Sequence, residues 1–391
     1  MSEQEATLGV GMVGSAFMGA AHSHAWRSAG RFFDLPLAPR MTVVCGRDAE
    51  RTAAAARRLG WESASTDWKE LLRRDDVDLV DVCTPGDSHA EIAIAALDAG
   101  KHVLCEKPLA NTVEEAEAMT AAAGRAAQHG VRAMVGFTYR RVPAIGLARR
   151  LVQEGRLGDI RHVRVQYLQD WLVDPDFPLA WRLQKDKAGS GALGDIGAHA
   201  VDLAQHVTGL QVDSVSAAME TFVRERPLPD QASGLSGVAS GAERGEVTVD
   251  DAAVFIARMG AALGSFEATR FATGRKNALR LEVNGSLGSL AFDFESMNEL
   301  SFHDGTEDAV VGGFRRILVT EAEHPYVAAW WPPGHGLGYE HGFTHQVVDL
   351  VGDIAAGRNP SPSFAEGLQV QRVLAAIEDS ASAGRWSTID S

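Results

Sequence analysis

Three residues in this chain of 391 have types and settings suited to handling protons and charge. Lys107 stands in Cys105-Glu106-Lys107-Pro108-Leu109-Ala110, between a strand-like run (Lys101 to Leu104) and an alanine- and glutamate-rich helical run. A lysine at the carboxyl end of a strand lies where open parallel sheets bind ligands. The proline after it stops the strand and stiffens the turn. Asp195 and His199, in Gly194-Asp195-Ile196-Gly197-Ala198-His199, are four apart in a helical pattern and share one face. An imidazole takes or gives a proton near neutral pH, and a carboxylate one turn away can orient it or bind the same ligand. Gly194 and Gly197 leave that face open. The plainer reading of the pair is a helix-capping Asp195 and a structural His199. Asp202 and His206, further along, read as structural.

The elements before Lys107 read as a nucleotide site. Leu8 to Val13 is a strand, Gly14-Ser15-Ala16-Phe17-Met18-Gly19 a turn, and a helix follows to about Ala29. The turn matches G-x-G-x-x-G at its first and third glycines, with Ala16 in the middle. A helix amino terminus there attracts a phosphate. The second strand, Met41 to Cys45, ends at Gly46-Arg47-Asp48. NAD-preferring domains carry an acid at such a strand end for the ribose hydroxyls. Gly46 and Arg47 offer room and positive charge for a 2′-phosphate instead, which favours NADP over NAD. Asp48 either reaches the ribose or caps the next helix. Further strands at Val77 to Cys83, Lys101 to Leu104 and Val131 to Phe137 alternate with helices at Asp48 to Leu59, Thr66 to Arg74, Glu91 to Ala99 and Asn111 to His129. That alternation predicts an α/β, doubly wound parallel sheet of the Rossmann type over residues 1–137.

The rhythm then changes. A helix (Ala144 to Glu154) and a strand (Ile160 to Gln169) precede a loop rich in aromatics and proline, and a helix runs from Asp195 to Thr208. Strand runs at Val212 to Phe222, Ala252 to Met259, Ala261 to Thr269, Ala278 to Val283 and Ser289 to Phe294 follow without intervening helices. They predict an α+β domain, 138–391, with a large, mostly antiparallel open sheet. Asp230 to Asp250, rich in Ser, Gly and Glu, reads as a mobile loop. Helices at Tyr339 to Ala356 and Phe364 to Ala383 end the chain.

The formal net charge of −15 argues against nucleic acid or an anionic membrane as partner. The amino terminus lacks the pattern of a signal peptide, and no run approaches a membrane span. Cys45, Cys83 and Cys105 sit in or beside apolar runs and read as buried free thiols, so the expected compartment is the cytoplasm. His335, His341 and His345 do not have the spacing of a zinc motif, and no metal is expected.

Four stretches together resemble the glucose–fructose oxidoreductase/inositol dehydrogenase/rhizopine-catabolism (Gfo/Idh/MocA) family. They are Val13-Gly14 to His22, Ala90 to Ala110 with its Glu106-Lys107-Pro108, Gly136 to Pro143, and Gly194 to His199. Leu168-Gln169-Asp170-Trp171 and the Trp181-Arg182 to Gly194 loop look most like the family's sugar and levoglucosan dehydrogenases. Departures are Ala16, Gly46, and Gly86 where an asparagine is common after Thr84-Pro85. The resemblance implies hydride transfer between a nicotinamide (NADP or NAD) and a secondary alcohol carbon of a sugar, anhydrosugar or cyclitol. It implies cofactor contacts from Gly14, Ala16, Phe17, Met18, Gly19, Gly46, Arg47, Thr84, Pro85, His89, Glu106 and Lys107. Lys107, Asp195 and His199 map to the family's catalytic residues. His199 would be the base, Lys107 would stabilise the alkoxide, and Asp195 would orient; the roles of Lys107 and His199 can be exchanged. Tyr139, Gln169, Trp171, Arg182 and Tyr339 are implied for the sugar pocket, and a homodimer or homotetramer for the assembly. A nicotinamide-binding regulator and a sugar–sugar oxidoreductase with non-dissociating cofactor are the alternatives.

Overall fold

A computed structural model of the chain describes residues 6–229, 231–233, 236–238, 241 and 243–389. They form two compact units, one built from residues 6–138, 233, 236 and 339–371, the other from 139–229, 231–232, 237–238, 241, 243–338 and 372–389.

The first unit begins β1 (Thr7–Val13), α1 (Phe17–Phe32), β2 (Ala38–Cys45), α2 (Ala49–Leu59), β3 (Ser63–Ser65), α3 (Trp68–Leu72). It continues β4 (Leu79–Val82), α4 (His89–Asp98), β5 (His102–Cys105), α5 (Val113–Ala127) and β6 (Ala133–Val135). The strands form one parallel sheet in the order β3-β2-β1-β4-β5-β6. This is the doubly wound Rossmann arrangement, with its topological switch between β1 and β4. Asp48 caps α2 by accepting from Arg51 N at 2.8 Å. Thr112 and Glu115 form a capping box on α5.

The second unit starts with α6 (Pro143–Gln153), β7 (Ile160–Leu168), α7 (Lys185–Ala188), a π-turn (Leu193–Gly197) and α8 (Ala198–Thr208). Short strands β9 (Glu225–Pro227), β10 (Gln231–Ser233), β11 (Ser236–Val238) and β12 (Arg244–Glu246) follow β8 (Ser214–Glu220). Then come β13 (Ala252–Met259), β14 (Ala262–Thr269), β15 (Ala278–Gly285), β16 (Gly288–Asp293), β17 (Glu299–Asp304) and β18 (Arg315–Leu318). Helices α9 (Tyr339–Ala355) and α10 (Phe364–Ala383) and strand β19 (Ser387–Thr388) end the chain. Nine strands make the large sheet, β18-β17-β16-β15-β7-β14-β13-β8-β19. Its neighbours are antiparallel except β7 and β14, which run parallel. Strict alternation buries Val163, Val165 and Tyr167 on β7 and Ala253, Phe255 and Ala257 on β13, leaving Val254 and Ile256 on the open face.

Three features differ from the sequence expectations. Residues 339–371 group with the first unit, not the second. The cause is the apolar spacing of α9: Phe343, Val347, Leu350 and Val351 pack in one core with Leu8, Val10 and Trp26. The stretch Asp230 to Asp250 is not one loop, since it holds β10, β11 and β12, and Val247 and Val249 are buried with Leu172, Leu179 and Leu183. Residues 230, 234, 235, 239, 240 and 242 of that expected loop lie outside the described residues. Strands β17 and β18 were not expected; Leu300 and Phe302 turn β17 inward at a period of two. Among the described residues no helix is long and apolar enough to cross a membrane.

Candidate active site

In the first unit, the turn after β1 is shaped to receive a phosphate. Gly14 has φ 104° and donates to the Cys45 carbonyl at 2.9 Å. A Cβ there would stand 2.6 Å from the Cys83 carbonyl oxygen, so only glycine lets the chain pass. Gly19 is buried where the Gly14 carbonyl crowds it. Ala16 at the N-cap offers no side-chain bond to α1, and the first turn of α1 carries no acid. The leading N–H groups therefore have no carboxylate competing for them, and the chemistry fits a pyrophosphate. Phe17 is half exposed and its ring lies 6.2 Å from that of Tyr339 at 17°. Met18 packs on the core.

At the end of β2, a Cβ on Gly46 would meet Thr52 Oγ1 at 2.6 Å. Thr52 is buried and donates to the Asp48 carbonyl. The acid expected in NAD-preferring domains thus has no space while Thr52 stays in place. Arg47 is exposed, and Asp48 is spent on its capping role.

Beyond β4, Pro85 introduces a 3₁₀ turn, and Ser88 donates to Thr84 Oγ1 at 2.7 Å. The side-chain oxygen of Asn111 occupies the place a Cβ on Gly86 would take. His89 is buried, with its ring nitrogens 2.9 Å from the Thr84 carbonyl and 3.0 Å from the Pro108 carbonyl. It ties the β4 and β5 loops together at the carboxyl edge of the sheet. Lys107 is partly buried and joined to Pro108 by a cis peptide bond. Glu106 before it is buried and meets His22 Nε2 at 3.0 Å.

In the second unit, Asp195 lies in the π-turn, whose closing bond runs from Ala198 N–H to the Leu193 carbonyl. Asp250 holds that helix start: its carboxylate accepts from Gly191 N at 2.6 Å and Leu193 N at 2.8 Å. Arg270, fully buried, donates through Nη2 to the Asp250 carbonyl and puts Nη1 3.6 Å from Asp195 Oδ2. His199 is nearly buried, its ring 4.5 Å from the Tyr139 ring. Tyr139 continues into a polar ladder. Trp171 Nε1 donates to Gln169 Oε1 at 2.9 Å, and Gln169 Nε2 to Asn277 Oδ1 at 2.8 Å. Tyr167 OH donates to the same Asn277 oxygen at 2.7 Å, so the Tyr139 hydroxyl, 2.7 Å away, donates to Tyr167. Arg182 lies 4.3 Å over the Trp181 ring. Burial pulls its guanidinium below the ordinary value, Asp195 opposes that, and Arg270 adds to it.

A family profile described as the oxidoreductase family NAD-binding Rossmann fold matches residues 8–137, and the Gfo/Idh/MocA C-terminal domain matches 145–291. The chain belongs to the Gfo/Idh/MocA family. Among Gfo/Idh/MocA relatives, levoglucosan dehydrogenase of Pseudarthrobacter phenanthrenivorans is 42% identical over 384 residues, 97% of this chain and 97% of that one. An oxidoreductase domain protein from Kribbella flavida superposes with TM-score 0.94 at 68% identity, over 99% of this chain and 100% of that one. Levoglucosan dehydrogenase in complex with NADH and levoglucosan gives TM-score 0.92 at 41% identity, over 98% of this chain and 100% of that one.

Within this Gfo/Idh/MocA chain the structure gathers Asp195, Arg182, Gln169, Trp171, Tyr139 and His199 in the second unit, and Gly14 to Gly19, Gly46, Thr84, Glu106 and Lys107 in the first. Tyr339, expected at the sugar, stands against Phe17 in the nucleotide unit. His89, expected at the cofactor, has both ring nitrogens on backbone carbonyls. Asp202 is buried and accepts from Arg140 Nε at 2.9 Å, a structural pair. His335 Nδ1 faces the Pro332 carbonyl, and His345 stands edge-on to Phe33. Sequence alone singles out neither Tyr167, Asn277, Arg270 nor Asp250. Only Tyr167 had a signal, as the inward residue of the Val163, Val165, Tyr167 alternation.

Proposed function

We propose that this protein is an NAD(P)-dependent dehydrogenase that oxidises a secondary alcohol of a pyranose or anhydropyranose, with Lys107, Asp195 and His199 as its catalytic residues. The observation that carries this reading is the helix start at 193–199. There a carboxylate beside a buried guanidinium and an imidazole seated on a tyrosine ring leave one turn of helix. Bound at the α1 turn, a nicotinamide cofactor supplies the hydride-accepting ring. His199 takes the hydroxyl proton, and its ring is steadied on Tyr139 for that transfer. Lys107 holds the alkoxide charge that develops as the proton leaves. Asp195, beside the buried Arg270 guanidinium, orients the hydroxyl. Trp171 offers an indole face to the apolar side of the sugar, and Gln169 and Arg182 offer donors to its hydroxyls. The sugar class is supported by relatives named levoglucosan dehydrogenase and D-apiose dehydrogenase, and by complexes of the former with levoglucosan and with L-sorbose.

Two finer points belong to this reading. The chain takes NAD, as the NADH complexes of levoglucosan dehydrogenase support, and favours NADP, as the crowded Gly46 and exposed Arg47 support. It pairs with a second copy through the open sheet face, where Val254, Ile256 and Leu263 are exposed. The cytoplasm is supported by three free, buried cysteines, with burial pushing the Cys45 thiol up to about 11.

The test is a screen of levoglucosan, D-glucose, L-sorbose and myo-inositol with each cofactor, read at the absorbance of reduced nicotinamide. Turnover of at least one is expected. No turnover together with tight NADH binding would replace the enzyme with a nicotinamide-binding regulator. Stoichiometric cofactor in the protein as isolated would point to a sugar–sugar oxidoreductase.

A further inference from the structure

A buried charged cluster on the first unit alone includes Glu106, the residue before Lys107. His22, on α1, has Nδ1 2.9 Å and 3.0 Å from the two oxygens of Asp81, and Nε2 3.0 Å from Glu106 Oε1. Trp26 Nε1 also donates to Asp81, at 2.7 Å. A neutral imidazole has one N–H, so one ring nitrogen would turn a lone pair toward a carboxylate oxygen. The doubly protonated ring satisfies both sides. Burial, the largest single influence, would pull His22 down, but the charge and hydrogen bonding of Asp81 together with Cys83 outweigh it and hold the ring well above the ordinary value. The same His22, Asp81 and Cys83 have donor atoms close enough to suggest a metal. The ring nitrogens of His22 are already taken by carboxylates, so the cluster reads as a closed ion-pair network.

Burying two carboxylates and an imidazolium costs more than pairing alone returns, and hydrophobic residues of similar volume would pack as well. Retaining them calls for a reason beyond stability. The geometry points to one: His22 is a positioning residue that grips Glu106 from behind, with Asp81 and Trp26 fixing its ring, and so sets where the adjoining Lys107 stands. Glu106 is gripped at the backbone too, by its N–H to the Val82 carbonyl at 2.9 Å. A Cβ on Gly136 would stand 2.6 Å from the same Oε1, so only a glycine there leaves the carboxylate its place. With its carboxylate met by His22 and its backbone N–H bonded to Val82, Glu106 is restrained at both ends, and the residue after it inherits that order. This inference rests on the reading of Lys107 as the lysine that meets the substrate.

The experiment compares His22→Leu, Glu106→Gln, the double variant and Lys107→Ala in the full-length enzyme. The readouts are steady-state kinetics with levoglucosan, or the screened sugar turned over fastest, and NADH binding by fluorescence. Misplacing a reacting group by about 1 Å costs on the order of 100-fold in rate. His22→Leu and Glu106→Gln are each expected to lower kcat by about 10- to 100-fold, and in His22→Leu, which touches no cofactor, the NADH dissociation constant is expected to move less than about threefold. The double variant is expected to be no slower than the worse single, because both act through one carboxylate. A kcat for His22→Leu within twofold of wild type, losses that multiply in the double variant, or loss of NADH binding in His22→Leu in step with kcat would each overturn the proposal. Wild-type rates in Lys107→Ala would instead overturn the lysine reading, and the coupling of His22 to Glu106 would be read from the same cycle. If His22→Leu does not fold, His22→Gln, which keeps one amide donor, takes its place and is expected to retain more activity. A measurement without sugar completes the test. The chain has six lysines, and after ¹³C-methylation the Lys107 signal, assigned with Lys107→Arg, is expected to move in both single variants while the Lys69 signal stays. An unmoved Lys107 signal would sink the idea whatever the substrate.

Discussion

Gly46 shows how far a single position can be read. The missing acid at the end of β2 is visible in the sequence, and it points toward a 2′-phosphate. The reason no acid fits is Thr52, six residues on, whose hydroxyl stands where a Cβ would go. Gly46→Asp alone therefore strains the fold, and the informative variant is Gly46→Asp with Thr52→Ala. It is expected to move the NADP-to-NAD ratio of kcat/KM toward NAD by about tenfold or more, the worth of one charged hydrogen bond. Thr52→Ala alone serves as the control, and an unchanged ratio in the double variant would end the case for this strand end. Lys107→Ala is expected to lower kcat by roughly 100-fold or more, and His199→Asn by a similar factor with a flattened pH profile. Lys107, Asp195 and His199 stand out in the sequence because glycine and proline around them mark special backbone. Arg270 and Asp250 do not, because a charged residue beside a strand looks like any solvated surface group until its burial is known.

At the level of elements, the helix start at 193–199 depends on a residue more than fifty positions away. Asp250 supplies the acceptors that the first N–H groups of that helix lack. Asp250→Ala is expected to cost about 1–3 kcal/mol of stability, measured by urea unfolding. It is also expected to lower kcat more than it raises KM, since Asp195 and His199 ride on the turn. The π-turn itself was not legible: the four-residue spacing of Asp195 and His199 suits an α-turn, and the widening is seen only in the Ala198 to Leu193 bond. Further along α8, His206 titrates against the fold. Burial, then Arg140, Arg149 and Arg141, hold it well below its ordinary value. Its ring stays neutral in the folded chain, and Arg149 Nη1 lies 3.3 Å from Nδ1. Below about pH 6.5 the unfolded chain binds a proton there that the folded chain does not, so stability falls as pH drops from that point. His206→Asn is expected to shallow the acid side of a Tm-versus-pH curve; an unchanged slope would clear His206 of that part.

For the molecule as a whole, the order of strands and helices was legible over most of the chain because its hydrophobic periods change cleanly, from βα alternation to strand after strand. What escaped was long-range ownership. Nothing in residues 339–371 says that Phe343 and Val347 belong to the core of β1 and α1; complementary surfaces decide that. The open sheet face makes its own forecast. Val254→Glu with Ile256→Glu is expected to convert an assembly to monomers, as read by light scattering; an unchanged mass would put the interface elsewhere. The placement of α9 also bears on how the protein is made. A ribosome delivers β1 and α1 first and α9 more than three hundred residues later, while domains ordinarily fold in the order they emerge. The nucleotide half must wait, its Leu8 and Trp26 exposed, until nearly the whole chain has been synthesised. A fragment ending at residue 137 is then an unfinished core and not a free-standing domain. A truncated messenger would yield no stray cofactor-binding protein, only a chain left for chaperones and proteases.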